Sequence, residues 1–243
     1  MLMNEYLNQV LNVIDSISRS QKETIQRVAS KIADSIMKGG VLHLFGSGHS
    51  HMVAEDAFNR AGGLVCINAM LEPSLMEINV GRTSMLERLH GYAKVIVSGY
   101  DLRPGETIII VSNSGINAVP IEVALECKER GLHVVALTSL QHSSEECSRH
   151  SSGKRLFEVA DEVLDNCGVP GDAMLAHEKL TNKIGPSSTI AGIVIIQTLI
   201  CAVVEQLLER GAAPPVFRSG NISGGEEHNQ GLIDGYKERI RYY

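Results

Sequence analysis

The chain has 243 residues, 44% of them hydrophobic and only 4% aromatic, with a formal net charge of −6. That is enough apolar material for one α/β layered domain, and its bias to Ile, Val, Leu and Ala suits buried parallel strands. The acidic balance argues against a broad nucleic-acid surface, which needs clustered Lys and Arg. Five scattered cysteines without C-x-x-C spacing argue against a disulfide framework or a zinc ribbon and fit a reduced chain.

Residues 1–39 predict an N-terminal helix pair. Leu7, Val10, Leu11, Ile14 and Ile17 make one apolar stripe; Ile25, Val28, Ala29, Ile32 and Ile36 make a second. Between them Ser20-Gln-Lys-Glu23 matches a capping box, and Gly39-Gly40 closes the unit. No basic-then-apolar signal pattern precedes these helices, so a cytoplasmic protein is expected. From 40 to 210 short β-like runs alternate with helical patterns. Strands are predicted at 41–45, 64–67, 107–112, 133–138 and 162–165, and helices near 50–61, 84–94, 117–130 and 187–209. This alternation predicts an α/β fold, a three-layer α-β-α sandwich around a five-stranded parallel sheet with right-handed crossovers. Asn117 is expected to be the N-cap of the 117–130 helix, which Lys128, Arg130 and Gly131 close. The polar stretches 139–155 and 166–187 read as loops. The most apolar run, 190–204, is short for a bilayer and contains Gln197 and Thr198, so a core or interface helix is expected and no membrane segment. The tail, 211–243, holds Pro214-Pro215 and Gly224-Gly225 without periodicity and reads as extended. The whole chain, 1–243, reads as a single domain.

Two predicted strands run straight into Ser/Gly loops: 41–45 into Gly46-Ser-Gly-His-Ser50, and 107–112 into Ser112-Asn-Ser-Gly115. Such loops aim backbone N–H groups and hydroxyls at one spot beside a helix N-terminus, which holds a phosphate without lysines. The first loop is half of a dinucleotide fingerprint, but position 51 is His rather than Gly, and no acidic residue closes the 64–67 strand to take a ribose. No Lys follows either loop, so a Walker pattern is absent as well. What remains is a hydroxyl-rich cradle of Gly46, Ser47, Gly48, His49 and Ser50 with Ser112, Asn113, Ser114 and Gly115. A third polar group, Ser187, Ser188 and Thr189, opens the apolar helix, where it serves as an N-cap or reaches the same ligand.

Strand–G-x-G-x-S–helix followed by strand–S-x-S-G–helix resembles the sugar isomerase (SIS) domain family of phosphosugar-binding proteins, over about 41–210. The N-terminal helix pair resembles the branch containing phosphoheptose isomerase. The stretches 46–52, Ser148-Arg-His-Ser-Ser-Gly-Lys-Arg155 and 215–229 resemble a bacterial subgroup of SIS proteins. The resemblance implies a SIS fold and a sugar phosphate bound by Ser47, Ser50, Ser112, Ser114 and Asn117. It also implies a homodimer or homotetramer with sites near subunit interfaces; no cofactor is expected.

The family's catalytic residues do not carry over. Phosphoheptose isomerases place a Glu nine residues after the loop Ser, where this chain has Asn59; the family's lyase-like members place theirs one position on, where it has Arg60. The His of the late helix is missing too. Glu55, one turn closer to the loop, and His228, beside Glu226 and Glu227 in the Gly-rich tail, are the replacement candidates. His49 and His51 form an H-x-H pair with no third ligand at a supportive spacing, so no metal is expected. Arg149, His150, Lys154 and Arg155 form a basic loop placed to guard the same edge. The expected function is aldose–ketose isomerisation of a sugar phosphate through an enediol(ate). The alternatives are a lyase or deaminase acting on an amino-sugar phosphate, and a non-catalytic sugar-phosphate sensor regulating a partner protein. A DNA-binding regulator is disfavoured, because residues 1–39 are too few for the usual fused module and lack a basic face.

Overall fold

The computed structural model describes residues 1–78 and 81–243. Two amphipathic helices come first, α1 (Leu2–Ser20) and α2 (Lys22–Ile36), burying Val13 and Ile17 from one and Ile25, Val28, Ala29, Ile32 and Ile36 from the other. The predicted break between them is present, but the capping box is not. Ser20 Oγ donates back to the Ser16 carbonyl (2.9 Å), and Gln21 joins the helices while its Oε1 accepts the Asp165 N–H (3.0 Å).

The α/β unit follows as β1 (Leu42–Gly46), α3 (His51–Ala57), β2 (Ile67–Met70), α4 (Arg82–Glu87), α5 (Tyr92–Ser98) and β3 (Thr107–Val111). It continues as α6 (Ala118–Glu129), β4 (His133–Thr138), α7 (Leu140–Glu145), α8 (Leu156–Val159) and β5 (Glu162–Asp165). After these come β6 (Ala173–Leu175), β7 (Ile184–Pro186), α9 (Ser188–Glu209) and α10 (Gly225–Ile233). The main sheet has five strands in the order β2-β1-β3-β4-β5, all parallel, as expected. Alternate strand residues feed opposite cores. Leu44, Ile109 and Val111 pack under α2, α3 and α9, while Phe45, Ile108 and Ile110 pack under α5 and α6.

The departures from expectation have local causes. β2 begins at Ile67 rather than 64, because Leu64 bridges Val216 and the Val65 N–H donates to the Pro215 carbonyl (2.9 Å), tying this stretch to the C-terminal segment. α3 stops at Ala57, well short of 61, and Asn59 takes a left-handed conformation (φ 45°). The predicted 84–94 helix divides: α4 ends at Glu87, and α5 starts after Gly91, whose φ of 83° breaks the helical path between them. The 166–187 loop contains the antiparallel β6–β7 pair, and the polar 139–155 stretch contains α7.

The tail is not extended throughout. Residues 225–233 form α10, and only Gly225 of that helix is buried, so it carries no apolar stripe that a periodic pattern would reveal. Beyond it the chain folds back: the Tyr243 ring stacks on Phe58 (centroids 5.2 Å apart) and its hydroxyl donates to the Val65 carbonyl (2.9 Å). At 22 residues, α9 is longer than the 190–204 run and is long and apolar enough by length and composition to cross a membrane. One of its faces, with Ala191, Ile195, Leu199 and Val203, is buried against α1, α2 and α3, which is how the core helix of a layered domain packs.

At the amino ends of the strands a buried ionic cluster closes the sheet. Glu106 accepts from His43 Nε2 (2.9 Å), the Val41 N–H (3.0 Å), the Arg103 N–H (2.9 Å) and Arg239 Nη2 (2.6 Å). Asn68 Nδ2 donates to His43 Nδ1 (3.0 Å), which leaves Nε2 to carry the proton toward Glu106. Burial pushes the Glu106 carboxyl up, but hydrogen bonds from His43, Arg239 and the Arg103 N–H outweigh it and bring its pKa down to about 2.

Candidate functional site

The strand order reverses at β1: the chain passes to β2 on one side and to β3 on the other. Ligands of open parallel sheets sit outside the carboxyl ends at this point. Register then sets the loops side by side. Gly46 pairs with Val111, so Ser47 and Ser112 leave the ends of adjacent strands at one level.

The first loop turns back tightly on itself. The Ser50 N–H donates to the Ser47 carbonyl (3.0 Å), and a single turn, Gly48–Ser50, leads into α3. A Cβ on Gly46 would lie 2.4 Å from the Ser50 carbonyl oxygen, so only glycine allows the chain to close here. Gly48 has φ 56°, and a Cβ there would lie 3.1 Å from a Glu77 carboxylate oxygen, so Glu77 covers the loop. His51 Nδ1–H donates to the Gly48 carbonyl (2.6 Å), while His49 is exposed.

The second loop is fixed from the neighbouring strands. The Gly115 N–H donates to Ser112 Oγ (3.2 Å), Thr138 Oγ1 donates to the Asn113 carbonyl (3.0 Å), and Asn166 Nδ2 donates to Asn113 Oδ1 (2.8 Å). Ser114 stands half-buried between these anchored neighbours. The third polar group lies close by: Ser50, Asn113, Asn166, Ser188 and Thr189 line one narrow crevice over Val53 and Val111. Two hydroxyls of that group, Ser187 and Ser188, are already occupied. Asp172, in a left-handed conformation (φ 68°), accepts the N–H groups of Ser187 (2.9 Å) and Ser188 (2.8 Å) and the hydroxyls of Ser187 (3.2 Å) and Ser188 (2.8 Å), a carboxylate at the N-terminus of α9.

One group joins the two main loops. Glu87, the last residue of α4, accepts from Ser47 Oγ (2.6 Å) on one carboxylate oxygen and from Asn117 Nδ2 (2.7 Å) on the other. Asn117 takes the N-cap position of α6, but its side chain makes no capping bond. Its amide faces Glu87, and its Oδ1 accepts from Arg149 Nη1 (2.8 Å). Arg149 of the basic loop is thereby wired to both Ser/Gly loops. Sequence spacing gave no sign of Glu87, which lies 40 positions from Ser47 and 30 from Asn117. Asn166 and Asp172 were hidden in the same way, in a stretch that reads as a plain loop.

The two replacement catalytic candidates fare differently. Glu55 stands on α3 with its side chain 60% exposed and His51 Nε2 at 3.5 Å. His228 Nε2 donates to the Val216 carbonyl (3.1 Å), in the segment bridged to Leu64 just before β2. That places it toward the amino end of the sheet, opposite the Ser/Gly loops, and within one chain it is not brought together with them.

A SIS domain model matches residues 5–139. The chain is 47% identical to a UPF0309 protein of Caldanaerobacter subterraneus subsp. tengcongensis, over 99% of this chain and 100% of that one. Among solved structures, a phosphoheptose isomerase from Neisseria gonorrhoeae superposes with a TM-score of 0.57 at 16% identity, covering 84% of this chain and 97% of the other. The Vibrio vulnificus NanR protein complexed with ManNAc-6P superposes with a TM-score of 0.55 at 14% identity, covering 99% of this chain and 70% of the other. At such identities the structural matches speak to the fold, a five-stranded parallel sheet between helical layers. The chain belongs to the UPF0309 family and carries a SIS phosphosugar-binding domain.

Proposed function

We propose that the chain is a sugar-phosphate aldose–ketose isomerase whose ligand phosphate lies between the loops after β1 and β3. The observation that carries this reading is the convergence of Ser47 and Asn117 on the carboxylate of Glu87. Donors from both loops already hold an anion there, and a phosphate is the stronger acceptor for the same hydroxyls and backbone N–H groups. Once displaced by it, the half-buried Glu87 carboxylate stands beside the bound sugar with no fixed partner. It is the base of this proposal: it takes the C2 proton of the aldose to give an enediol(ate) and returns a proton to C1, with no net redox change. Arg149, already bonded to Asn117, supplies positive charge toward the oxygen that becomes anionic. Glu55, more exposed and turned to His51, is the weaker candidate.

The test is a thermal-shift panel of sugar phosphates followed by solvent deuterium incorporation at C2 of any ligand found. Stabilisation of roughly 2.7 kcal/mol is expected at a hundred times the dissociation constant. No shift with any sugar phosphate defeats the reading. Binding without C2 exchange favours the second reading, a sensor that regulates a partner protein, which Asn59 in place of the isomerases' Glu supports. Self-association belongs to the same proposal: the groove between α1, α2 and α9, lined by Ile14, Ile17, Val194, Cys201 and Leu208, suits a homodimer or homotetramer.

A further inference from the structure

We infer that His90, Glu122 and His150 form a binding site for a Zn2+-class divalent ion next to the phosphosugar loops. The three residues come from separate parts of the chain: the segment between α4 and α5, the second turn of α6, and the loop before α8. One ligand atom from each lies within 4.8 Å of the other two. Glu122 Oε1 is 3.0 Å from His90 Nδ1 and 3.7 Å from His150 Nε2. A tetrahedral ion with bonds of about 2.0–2.2 Å has ligand–ligand edges of roughly 3.3–3.6 Å, so these distances bracket what the ion requires.

The surroundings are arranged as they are around metal ligands. The second oxygen of Glu122 accepts the Gly91 N–H (2.8 Å), which fixes the carboxylate and leaves Oε1 to coordinate. Gly91 can offer that N–H in this direction because it holds φ 83°. Ser152 engages His150 Nδ1, with its Oγ at 2.8 Å and its backbone N at 3.3 Å, which leaves Nε2 as the ligating nitrogen. The side chains of Glu122 and His150 are 15% and 9% exposed, while His90, at 48%, leaves the site open on one side. Two imidazoles and a carboxylate with one open position form the donor set that Zn2+, Co2+ and Ni2+ prefer, with water completing the shell. The H-x-H pair at His49 and His51 is not part of it.

The position gives the ion a structural consequence. His90 follows Glu87 by three residues, His150 adjoins Arg149, and Glu122 lies on the helix that Asn117 begins. An ion here ties together the three segments that carry the Glu87–Asn117–Arg149 chain. Metal binding at this site is tested with the metal alone, so the outcome does not depend on the identity of any sugar.

The experiment is Zn2+ titration of the untagged, chelator-stripped chain by calorimetry, with metal content after dialysis as a second readout. About one Zn2+ per chain is expected, and Co2+ in its place should give the visible absorption bands of a four-coordinate complex. His90→Ala, on an exposed side chain, and Glu122→Gln should each weaken Zn2+ binding by at least about 100-fold. His177→Ala, in the β6–β7 connection, should leave it unchanged. Melting curves of the metal-free variants separate loss of a ligand from loss of fold, and His90→Ala is the deciding variant if Glu122→Gln is unstable. Failure of the wild-type chain to take up Zn2+, or equal uptake by His90→Ala, overturns the inference.

Discussion

Each end of the sheet carries a glutamate that bridges otherwise separate segments, and the two are held in opposite ways. At the amino end Glu106 is 4% exposed and takes four donors, among them a guanidinium and an imidazole. At the carboxyl end Glu87 is half-buried, and its partners are a hydroxyl and an amide. The first arrangement has no room for exchange: removing the carboxylate leaves Arg239 Nη2, His43 Nε2 and two buried backbone N–H groups without their acceptor. The second can be traded, since both donors would serve another anion equally well. A fold needs the first kind of carboxylate to stay closed, and a binding site needs the second kind to open.

The largest effect is expected at the closed end. Glu106→Gln should cost about 3–5 kcal/mol in denaturant unfolding, the usual loss when one member of a buried charged cluster is removed. It should also change the acid limb of the stability curve. The native Glu106 carboxyl titrates near 2, against an ordinary value of 4.5. Its contribution is therefore complete above about pH 4.5 and drains away as the pH falls toward 2. The variant should be less stable at neutral pH and should lose less between pH 5 and 2. An acid limb identical to that of the wild type would mean that the cluster is not what holds the C-terminal segment.

At the open end, Glu87→Gln should barely move stability, because the amide still bonds to Ser47 or Asn117. It should nonetheless lower C2 proton exchange by about 10²–10⁴-fold, the range for loss of a general base, without weakening sugar-phosphate binding. Binding that falls in parallel with exchange would make Glu87 a ligand contact instead. Ser47→Ala and Ser114→Ala come next in size, each reducing sugar-phosphate affinity by about 1–3 kcal/mol in calorimetry. Unchanged affinity in both would remove the phosphate from between the loops.

The contrast also explains what the sequence made legible. The loops at Gly46–Ser50 and Ser112–Gly115 are local: strand, glycine, hydroxyls and helix follow one another, so composition and order reveal them. Parallel strands buried on both faces read in the same way, as runs of Ile, Val and Leu. Glu87 acts through partners 30 and 40 positions away, and Asn166 and Glu106, beside one local bond each, through partners at least 53 and 63 positions away, so nothing in their own neighbourhoods marks them. Glu55 was visible because it lies one turn past a recognisable loop, which is a statement about sequence distance alone. Helix α10 escaped notice for the converse reason: a short helix with one buried residue has no pattern to read.

Glu55 therefore provides the smallest effect and a sharp division between the two glutamates at the open end. Its carboxylate is 60% exposed, and its imidazole partner is His51 at 3.5 Å, on its own helix. A pair of this kind contributes about 0.3–0.5 kcal/mol at most, so Glu55→Gln should leave the melting temperature almost where it was. If Glu87 is the base, the same change should alter C2 exchange by less than about twofold, well under the general-base range. If exchange instead collapses in Glu55→Gln and survives in Glu87→Gln, the base lies on α3, and the Ser47–Glu87–Asn117 bridge is a gate that the phosphate opens. Measuring both variants on one ligand decides which glutamate reacts and which only makes way.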